Sequence, residues 1–370
     1  MSFKICSATI PFGQTLAADI VRAVESVPAN AICGVVVYGA DSSMEYHQML
    51  DYIAKAICEA VGKRVPVTLV PQPLLPQGGL AFDIYTLDGA AEVRIEQFEG
   101  VYYGLLGSGE EQMIFVEGIV SSDFGASVAE QSREIFEKLE KILAKYDYLV
   151  DDIVRQWNYI GNIVNYRQGK QNYQEFNDAR TIYYNKGVWS DGYPAATGIG
   201  ASFEGVVVGC IAFKNRQRKA VYPIDNPLQV AAHIYSKDVL IDNAANAVKS
   251  TPKFERAKLI ETAQGVCCFV SGTAAIRGEQ SVDACLVGEQ TIRTIENIEC
   301  LVSKQNLLRS GCKAYDLKYA KLHIFVKHAE DFESVRAEVS KAYPQVAVTY
   351  SVADVCRSEL LVEIEGILIS

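Results

Sequence analysis

Two carboxylates, Glu363 and Glu365, stand inside the apolar run Leu-Leu-Val-Glu-Ile-Glu-Gly-Ile-Leu-Ile at residues 360–369. On a strand, positions two apart share a face, so both carboxyls point the same way. The run is rich in Leu, Ile and Val at every other position too, which predicts a strand covered on both faces. Burial there strips water from a carboxyl and raises its pKa, so that it can stay protonated near neutral pH. Such a group is a poised general acid. The same spacing also fits two carboxylates on an exposed sheet face, or paired with Lys or Arg. Other reactive side chains offer less. The ten Cys include no CxxC, and none of the four His forms an HExxH or HxH pair. Neither a metal site nor a metal cofactor is expected from such a set.

Bulk properties narrow the function classes. The chain has 370 residues, 49% hydrophobic and 22% charged, which predicts a globular protein of two or three domains. Its net charge of −10 argues against a nucleic-acid partner, which needs a basic face to neutralise phosphates. Scattered Cys in a chain this long read as reduced thiols of a cytoplasmic protein. The start, MSFKICSATIPFG, has an apolar stretch too short for a signal peptide and broken by Pro11. No apolar run reaches the ~20 residues of a membrane helix, so no membrane association is expected.

The elements that must position the two Glu come from an internal repeat. One copy reads strand 113–120, helix 130–146, strand 153–160, helix 173–184, Tyr193-Pro194, strand 197–201 and strand 206–213. The other reads strand 266–273, helix 284–303, strand 321–326, helix 331–342, Tyr343-Pro344, strand 346–351 and the final strand. Both copies place Glu-Gln early in the long helix (Glu130-Gln131, Glu289-Gln290) and Phe-x-x-x-Arg in the short one (Phe176/Arg180, Phe332/Arg336). The position of Glu363 is Val207 in the first copy, so only one of two equivalent sites carries an ionisable group. Before residue 100 the pattern is strand 31–38, helix 46–61, strand 65–70, a Pro/Gly loop from Pro71, and strands 80–87 and 92–98. Residues 224–258 are polar, interrupted by Pro227 and Pro252, and read as a surface loop or lid.

The repeat unit resembles the RidA/YjgF family, once described as L-PSP endoribonucleases. The resemblance rests on Ser271-Gly272 in a strand, a long helix, a Tyr-Pro turn and the closing Val-Glu-Ile-Glu-Gly. It implies an α+β fold of tandem β-α-β-α-β-β units arranged as a pseudo-trimer within one chain. The divisions expected are a degenerate unit over 1–99, a first unit over 100–223, a connecting segment over 224–262 and a second unit over 263–370. In that family a carboxylate-clamping Arg follows the Pro of the turn by two residues; here those positions are Ala196 and Val346.

A narrower set of blocks resembles the chorismatases. They are Gln156-Trp-Asn-Tyr-Ile, Tyr173-Gln-Glu-Phe-Asn-Asp-Ala-Arg180, Tyr193-Pro-Ala-Ala-Thr-Gly-Ile-Gly200, Asn226-Pro-Leu-Gln-Val230, Pro252-Lys-Phe-Glu-Arg256, Ser271-Gly-Thr-Ala274 and Ala353-Asp-Val-Cys-Arg-Ser-Glu359 running into Glu363. They follow the family order over about residues 100–370. The resemblance implies cleavage of the enolpyruvyl ether of chorismate to pyruvate plus a hydroxybenzoate or a dihydroxycyclohexadienoate, with no cofactor. It implies that Glu363 protonates the enol ether methylene, with Glu365 beside it in support. Chorismate has two carboxylates, so cationic forks are expected: Arg180 first, with Lys321, Arg155 and Arg277 behind it. Tyr159 and Thr197 are expected to hydrogen-bond the substrate, and Ala274 and Cys356 to shape the pocket. A RidA-like imine or enamine hydrolase, or a non-catalytic ligand binder, would share the scaffold. Three units in one chain are expected to act as a monomer or a weak homo-oligomer.

Overall fold

The computed structural model describes every residue except 1, 11–19, 22, 25, 26, 40–43, 77, 89–92, 216–218, 237–240, 243–246, 249 and 283–285. Three sheets carry the fold. The first holds β1 (Ser2–Ile10), β2 (Ile32–Tyr38), β3 (Val67–Val70) and β4 (Leu80–Asp88) in the order β1-β4-β2-β3. The second holds β5 (Arg94–Phe98), β6 (Val101–Ser108), β7 (Glu111–Val120), β8 (Ile153–Gly161), β9 (Ala195–Ala201) and β10 (Val206–Asn215), ordered β9-β8-β10-β7-β6-β5. The third holds β11 (Val221–Ile224), β12 (Ala257–Thr262), β13 (Gly265–Ala274), β14 (Lys318–Val326), β15 (Val348–Val352) and β16 (Val362–Ile369), ordered β11-β12-β13-β16-β14-β15.

The same order runs through all three. Each starts with a parallel edge pair: β9 with β8, β15 with β14, β3 with β2. Next comes the closing strand of the unit, β10, β16 or β4, and then β7, β13 or β1. The second and third sheets add a further hairpin that the described first sheet lacks. Five helices follow the expected places, α1 (Tyr46–Val61), α2 (Val128–Ala144), α3 (Asn172–Tyr184), α4 (Val287–Val302) and α6 (Phe332–Ala342), and a short one that was not expected, α5 (Lys304–Arg309), follows α4. Helix α2 opens on a capping box, Ser127 with Glu130, and buries Ile135, Phe136, Leu139, Ile142 and Leu143 at helical spacing. Helix α1 stops at Gly62, whose φ of 75° is left-handed and free of strain only for Gly. No helix among the described residues is long and apolar enough to cross a membrane.

Two expected boundaries move. Strand β5 was expected in the N-terminal unit but pairs with β6 in the second sheet. Its link to β6 is Glu99-Gly100, both at positive φ (46° and 84°), the backbone of a tight two-residue hairpin. The end of the segment 224–262, expected as a connecting loop or lid, forms β12, which pairs with β11 on one side and β13 on the other in the third sheet. Residues 237–240, 243–246 and 249 of that segment lie outside those described, as do the expected start of the long helix at 284 and the start of strand 92–98. A strand over Ser2–Ile10, which the sequence reading did not anticipate, pairs with β4 along its length.

The sheets pack face to face around a shared core, with the helices of the second and third units outside. Tyr38, Tyr159 and Phe325, one from each sheet, belong to that core. The seams between sheets repeat one register row. Thr197 lies opposite Trp157 and then Gly209; Thr349 opposite His323 and then Glu365; Thr68 opposite Val36 and then Asp83. Thr197 and Thr68 each meet a carboxyl of another sheet, and Thr349 reaches one through Lys321. Thr197 and Arg155 hold Glu365. Thr349 bonds Lys321, which is paired with Asp83 at 2.7 Å. Thr68 bonds Glu117, whose side chain crosses the space left by Gly34 and Gly209: a Cβ at these would sit 3.0 and 2.7 Å from it. Gln72 of the first unit ties the other two, donating to the Gly200 carbonyl and accepting from Ser351.

Candidate active site

The site forms at the seam of the second and third sheets. Strand β16 lies between β13 and β14, so both its faces are covered. Val362, Ile364 and Leu368 enter the core beneath the third unit's helices, while Ile367 enters the shared core. Alternation therefore turns Glu363 and Glu365 inward, toward the second sheet. Opposite them β13 bulges between Val270 and Thr273, which takes Ser271 and Gly272 out of the ladder. The Ser271 hydroxyl accepts from the Ala196 amide (2.9 Å) and donates to the Glu255 carbonyl (2.6 Å), locking β9 against the bulge. The Gly272 amide donates to Thr197 Oγ1 at 3.1 Å. A Cβ on Gly272 would lie 1.9 Å from Glu363 Oε1, so the missing side chain is the slot through which the acid reaches the cleft.

Burial pushes the Glu363 carboxyl up to about 8; the neighbouring Glu365 charge adds to the rise, and Arg155 and Arg256 oppose it. Burial raises Glu365 as well, but Arg155, Thr197 and Trp157 favour its charged form. The Arg155 guanidinium reaches Glu365 at 2.6 Å and Thr197 Oγ1 at 2.7 Å, and it stacks 4.6 Å from the Trp157 ring centroid. The Thr197 hydroxyl donates to Glu365 and accepts from both Arg155 and Gly272, which uses its full bonding capacity. The geometry separates the two: Glu365 is salt-bridged to Arg155 and bonded by Thr197 below, whereas Glu363, the carboxyl that burial raises to about 8, stands at the cavity wall.

That cavity has a volume of about 880 Å³. Glu363, Gly272 and Ala274 line it from the third sheet, and Arg180, Tyr173 and Gly198 from the second unit. Arg256, Arg357, Tyr235 and Cys356 complete its cationic end. Arg180 is 2% exposed; it donates to Asn177 at 2.6 Å and leaves Nε without a partner. Arg256 is 3% exposed; it donates to the Val230 carbonyl and the Tyr235 hydroxyl, and its Nε is also unmatched. Arg357 donates to the Glu279 carbonyl and Ser281. None of the three is ion-paired to an acid among the described residues. Arg357 is half-buried, and its charge favours the ionised forms of Glu279 and Glu359. Arg180 and Arg256 are buried guanidinium groups without an ion-paired acid among the described residues, which is costly, so this end of the cavity is built for an anion.

Of the residues singled out in the sequence, Glu363, Arg180, Ala274 and Cys356 face this one cavity. Thr197 and Glu365 lie just beneath it, with their polar atoms spent on each other and on Arg155. Tyr159 and Lys321 do not line it, which corrects their expected role. Tyr159 is buried in the shared core, its hydroxyl 3.4 Å from that of Tyr38. Lys321 is bound to Asp83 and Ser7 at a different seam. It sits opposite Ile367 as Arg155 sits opposite Ile211, so two matching cations serve two different seams. Arg277 pairs with Glu296 and Asn297 instead. Burial pushes the Cys356 thiol up to about 12, which suits an apolar wall and not a nucleophile. Arg256, Arg357 and Tyr173 went unmarked, although each stands within a block quoted above. No group of three or more His, Cys, Asp or Glu among the described residues could hold a metal ion.

Comparison with known proteins places the chain by family and fold. The family model described as chorismatase FkbO/Hyg5-like, N-terminal, matches residues 90–212. A 3-hydroxybenzoate synthase from Streptomyces hygroscopicus is 31% identical over 248 residues, covering 65% of this chain and 69% of that protein. A chorismatase from Streptomyces rapamycinicus is 29% identical over 265 residues, covering 69% of this chain and 74% of that protein. The crystal structure of a chorismatase shares the fold, with a TM-score of 0.70 at 20% identity over 100% of this chain and 99% of that one.

Proposed function

The chain belongs to the chorismatase family, and from that premise we propose that it cleaves the enolpyruvyl ether of chorismate to pyruvate and a hydroxybenzoate. One observation carries the reading. A buried carboxyl that holds its proton to about pH 8 stands in the wall of a cavity whose other end carries three arginines, none ion-paired to an acid among the described residues.

The enol ether is inert until its methylene carbon is protonated. Glu363 donates that proton, and positive charge develops on the ether carbon as an oxocarbenium ion. The Glu363 carboxylate left behind stabilises the cation at close range. The neighbouring ring hydroxyl then bonds to the ring carbon that carries the ether; the ring carbon–oxygen bond breaks, and its electron pair completes the carbonyl of the departing pyruvate. The hydroxyl's proton returns to Glu363, and the ring epoxide so formed opens with loss of a ring C–H proton, which passes to the opened oxygen, to give the hydroxybenzoate. Arg180, Arg256 and Arg357 hold the two substrate carboxylates and so aim the methylene at the acid. Ala274, which pairs with Glu363 in the β13–β16 register, and Cys356 bound the space open to the attacking hydroxyl. Thr197 and Glu365 support the acid from below. No cofactor is needed for this sequence of steps.

The chain is three units, divided before β5 and before β11. Both walls of the cavity come from one chain, so a monomer is sufficient for activity. The nine described cysteines are all free, which supports a reducing, cytoplasmic setting. The test is incubation of the purified protein with chorismate, following pyruvate by a coupled dehydrogenase and separating the ring products. Pyruvate with 3- or 4-hydroxybenzoate is the expected result. A folded protein that releases no pyruvate would overturn the proposal, and a dihydroxycyclohexadienoate would replace the ring hydroxyl by water as the nucleophile.

A further inference from the structure

Two of the three seams join a Thr and a cation to a buried carboxyl, and the seam of the second and third sheets sets a further carboxyl, Glu363, beside them at the cavity wall. Two positions before Glu365, Asp83 and Gly209 in the three closing strands stand Glu363, Ala81 and Val207. At the seam of the third and first sheets the Lys321–Asp83 pair with Thr349 fastens one sheet to the other and does nothing more. The Arg155–Glu365 pair with Thr197 has an additional neighbour in Glu363, reached through Gly272. We propose that Glu365, held by Arg155 and Thr197, is a positioning residue for catalysis that keeps the proton on Glu363 and fixes its carboxyl over Gly272.

Arg155 and Glu365 form a neutral pair, each at most 7% exposed. Ionising Glu363 as well would set two buried anions against that one cation, so the second proton is retained. Without the Glu365 charge, Arg155 becomes free to pair with Glu363 and draw off its proton. The other groups facing the two carboxyls are Arg256, Cys356 and Tyr173 on the Glu363 side, with Trp157, Asp83, Tyr38, Tyr85 and Tyr159 on the Glu365 side. Arg256 opposes protonation of Glu363, and it is already held by Val230 and Tyr235. Mechanically, Thr197 ties Glu365 to the Gly272 amide, and the Gly272 Cα is the floor under Glu363 Oε1.

The proposal rests on the chorismate-cleaving reading, and its test separates the two. Three variants of the full chain are compared: Glu365→Gln, Thr197→Val and, at the matching place of another seam, Thr349→Val. In Glu365→Gln the alkaline limb of the kcat–pH profile should move down by about two pH units, which is about a tenfold loss of kcat at pH 7. Thr197→Val should lower kcat about tenfold with KM within about twofold, and Thr197→Ser should restore it. Thr349→Val should cost similar thermal stability and leave kcat in place. Equal kcat losses in Thr197→Val and Thr349→Val, or an unmoved alkaline limb in Glu365→Gln, would reduce the unit to a fastener and overturn the proposal. If Glu365→Gln does not fold, the two Thr variants decide. If the wild type releases no pyruvate, the chorismate reading falls by itself. The infrared carbonyl band of Glu363 still decides the positioning role: it is the protonated-carboxyl band present in wild type and missing from Glu363→Gln at pH 7, which sets it apart from that of Glu117. The same component should be strongly reduced in Glu365→Gln, and its full persistence there would refute the role.

Discussion

Replacing Gly272 by Ala is a one-methyl test of the acid's placement. The backbone of Gly272 is not among those at positive φ, so Ala is conformationally acceptable there. What the methyl meets is the acid itself: Glu363 Oε1 at 1.9 Å and Cδ at 2.9 Å, with Thr197 Cγ2 at 3.2 Å. Ordinary contact begins near 3.4 Å, so the carboxyl must retreat by about 1.5 Å. A displacement of about 1 Å at a reacting group costs on the order of 100-fold in rate. The expected outcome is a fall of about 100-fold in kcat for pyruvate release from chorismate. KM should stay within about threefold, because Arg180, Arg256 and Arg357 are untouched. The added volume should cost about 1–3 kcal/mol, so melting should remain cooperative at a modestly lower temperature. Gly288→Ala, whose Cβ meets nothing closer than 3.8 Å, is the matched control. A Gly272→Ala enzyme with kcat within about threefold of wild type would show that the carboxyl does not act from where it lies, and the assignment of Glu363 as acid would fall.

Other expectations follow from the same geometry. Because Glu363 is raised to about 8, the proton-donating form is populated below that pH and lost above it. A profile of kcat against pH should therefore be flat near neutrality and fall about tenfold per unit beyond about pH 8, and Glu363→Gln should be inactive across the range by about 100-fold or more. Glu117 is likewise raised to about 8 by burial, above its ordinary 4.5. The native state then binds the extra proton between those values, so stability is full below about 4.5 and declines as pH rises through about 8, by up to about 1.4 kcal/mol per unit. Glu117→Gln should remove that decline, as read from urea melts at pH 6 and pH 9, and an unchanged slope would mean that Glu117 is already ionised. Lys321→Met leaves Asp83 buried without its cation and should cost about 3–5 kcal/mol in the same melts with KM for chorismate unchanged; a large rise in KM would return Lys321 to the site.

The parts of the site that were legible in the sequence are those set by local pattern. Period-two alternation alone turns Glu363 and Glu365 to one face, and the repeat alone shows that Val207 leaves the matching position empty of charge. The bulge at Ser271-Gly272 was not legible, since Val-Cys-Cys-Phe-Val-Ser-Gly-Thr-Ala reads as one continuous strand. Arg256 and Arg357 escaped notice because they precede strands and reach the cavity only through the docking of two units. Arg155 and Lys321 show the limit most directly. Each is a cation inside an apolar strand at the same register, and only the neighbouring sheet decides that one supports the acid and the other binds Asp83. The misplaced boundary near residue 99 has a local signal that was overlooked: Glu99-Gly100 is a hairpin turn, and a hairpin cannot be split between two sheets.

The seam through the site has a consequence for how activity is lost. The acid and its floor belong to the third sheet, whereas Arg180, Arg155 and Thr197 belong to the second unit, and β9 touches the third unit through the Ser271 hydroxyl and the Glu255 amide. The reaction centre is therefore property of neither half, and it exists only while the halves are docked. Turnover is in effect a gauge of that docking: a solvent or temperature that parts the two sheets extinguishes it while each sheet still keeps its own ladder of hydrogen bonds.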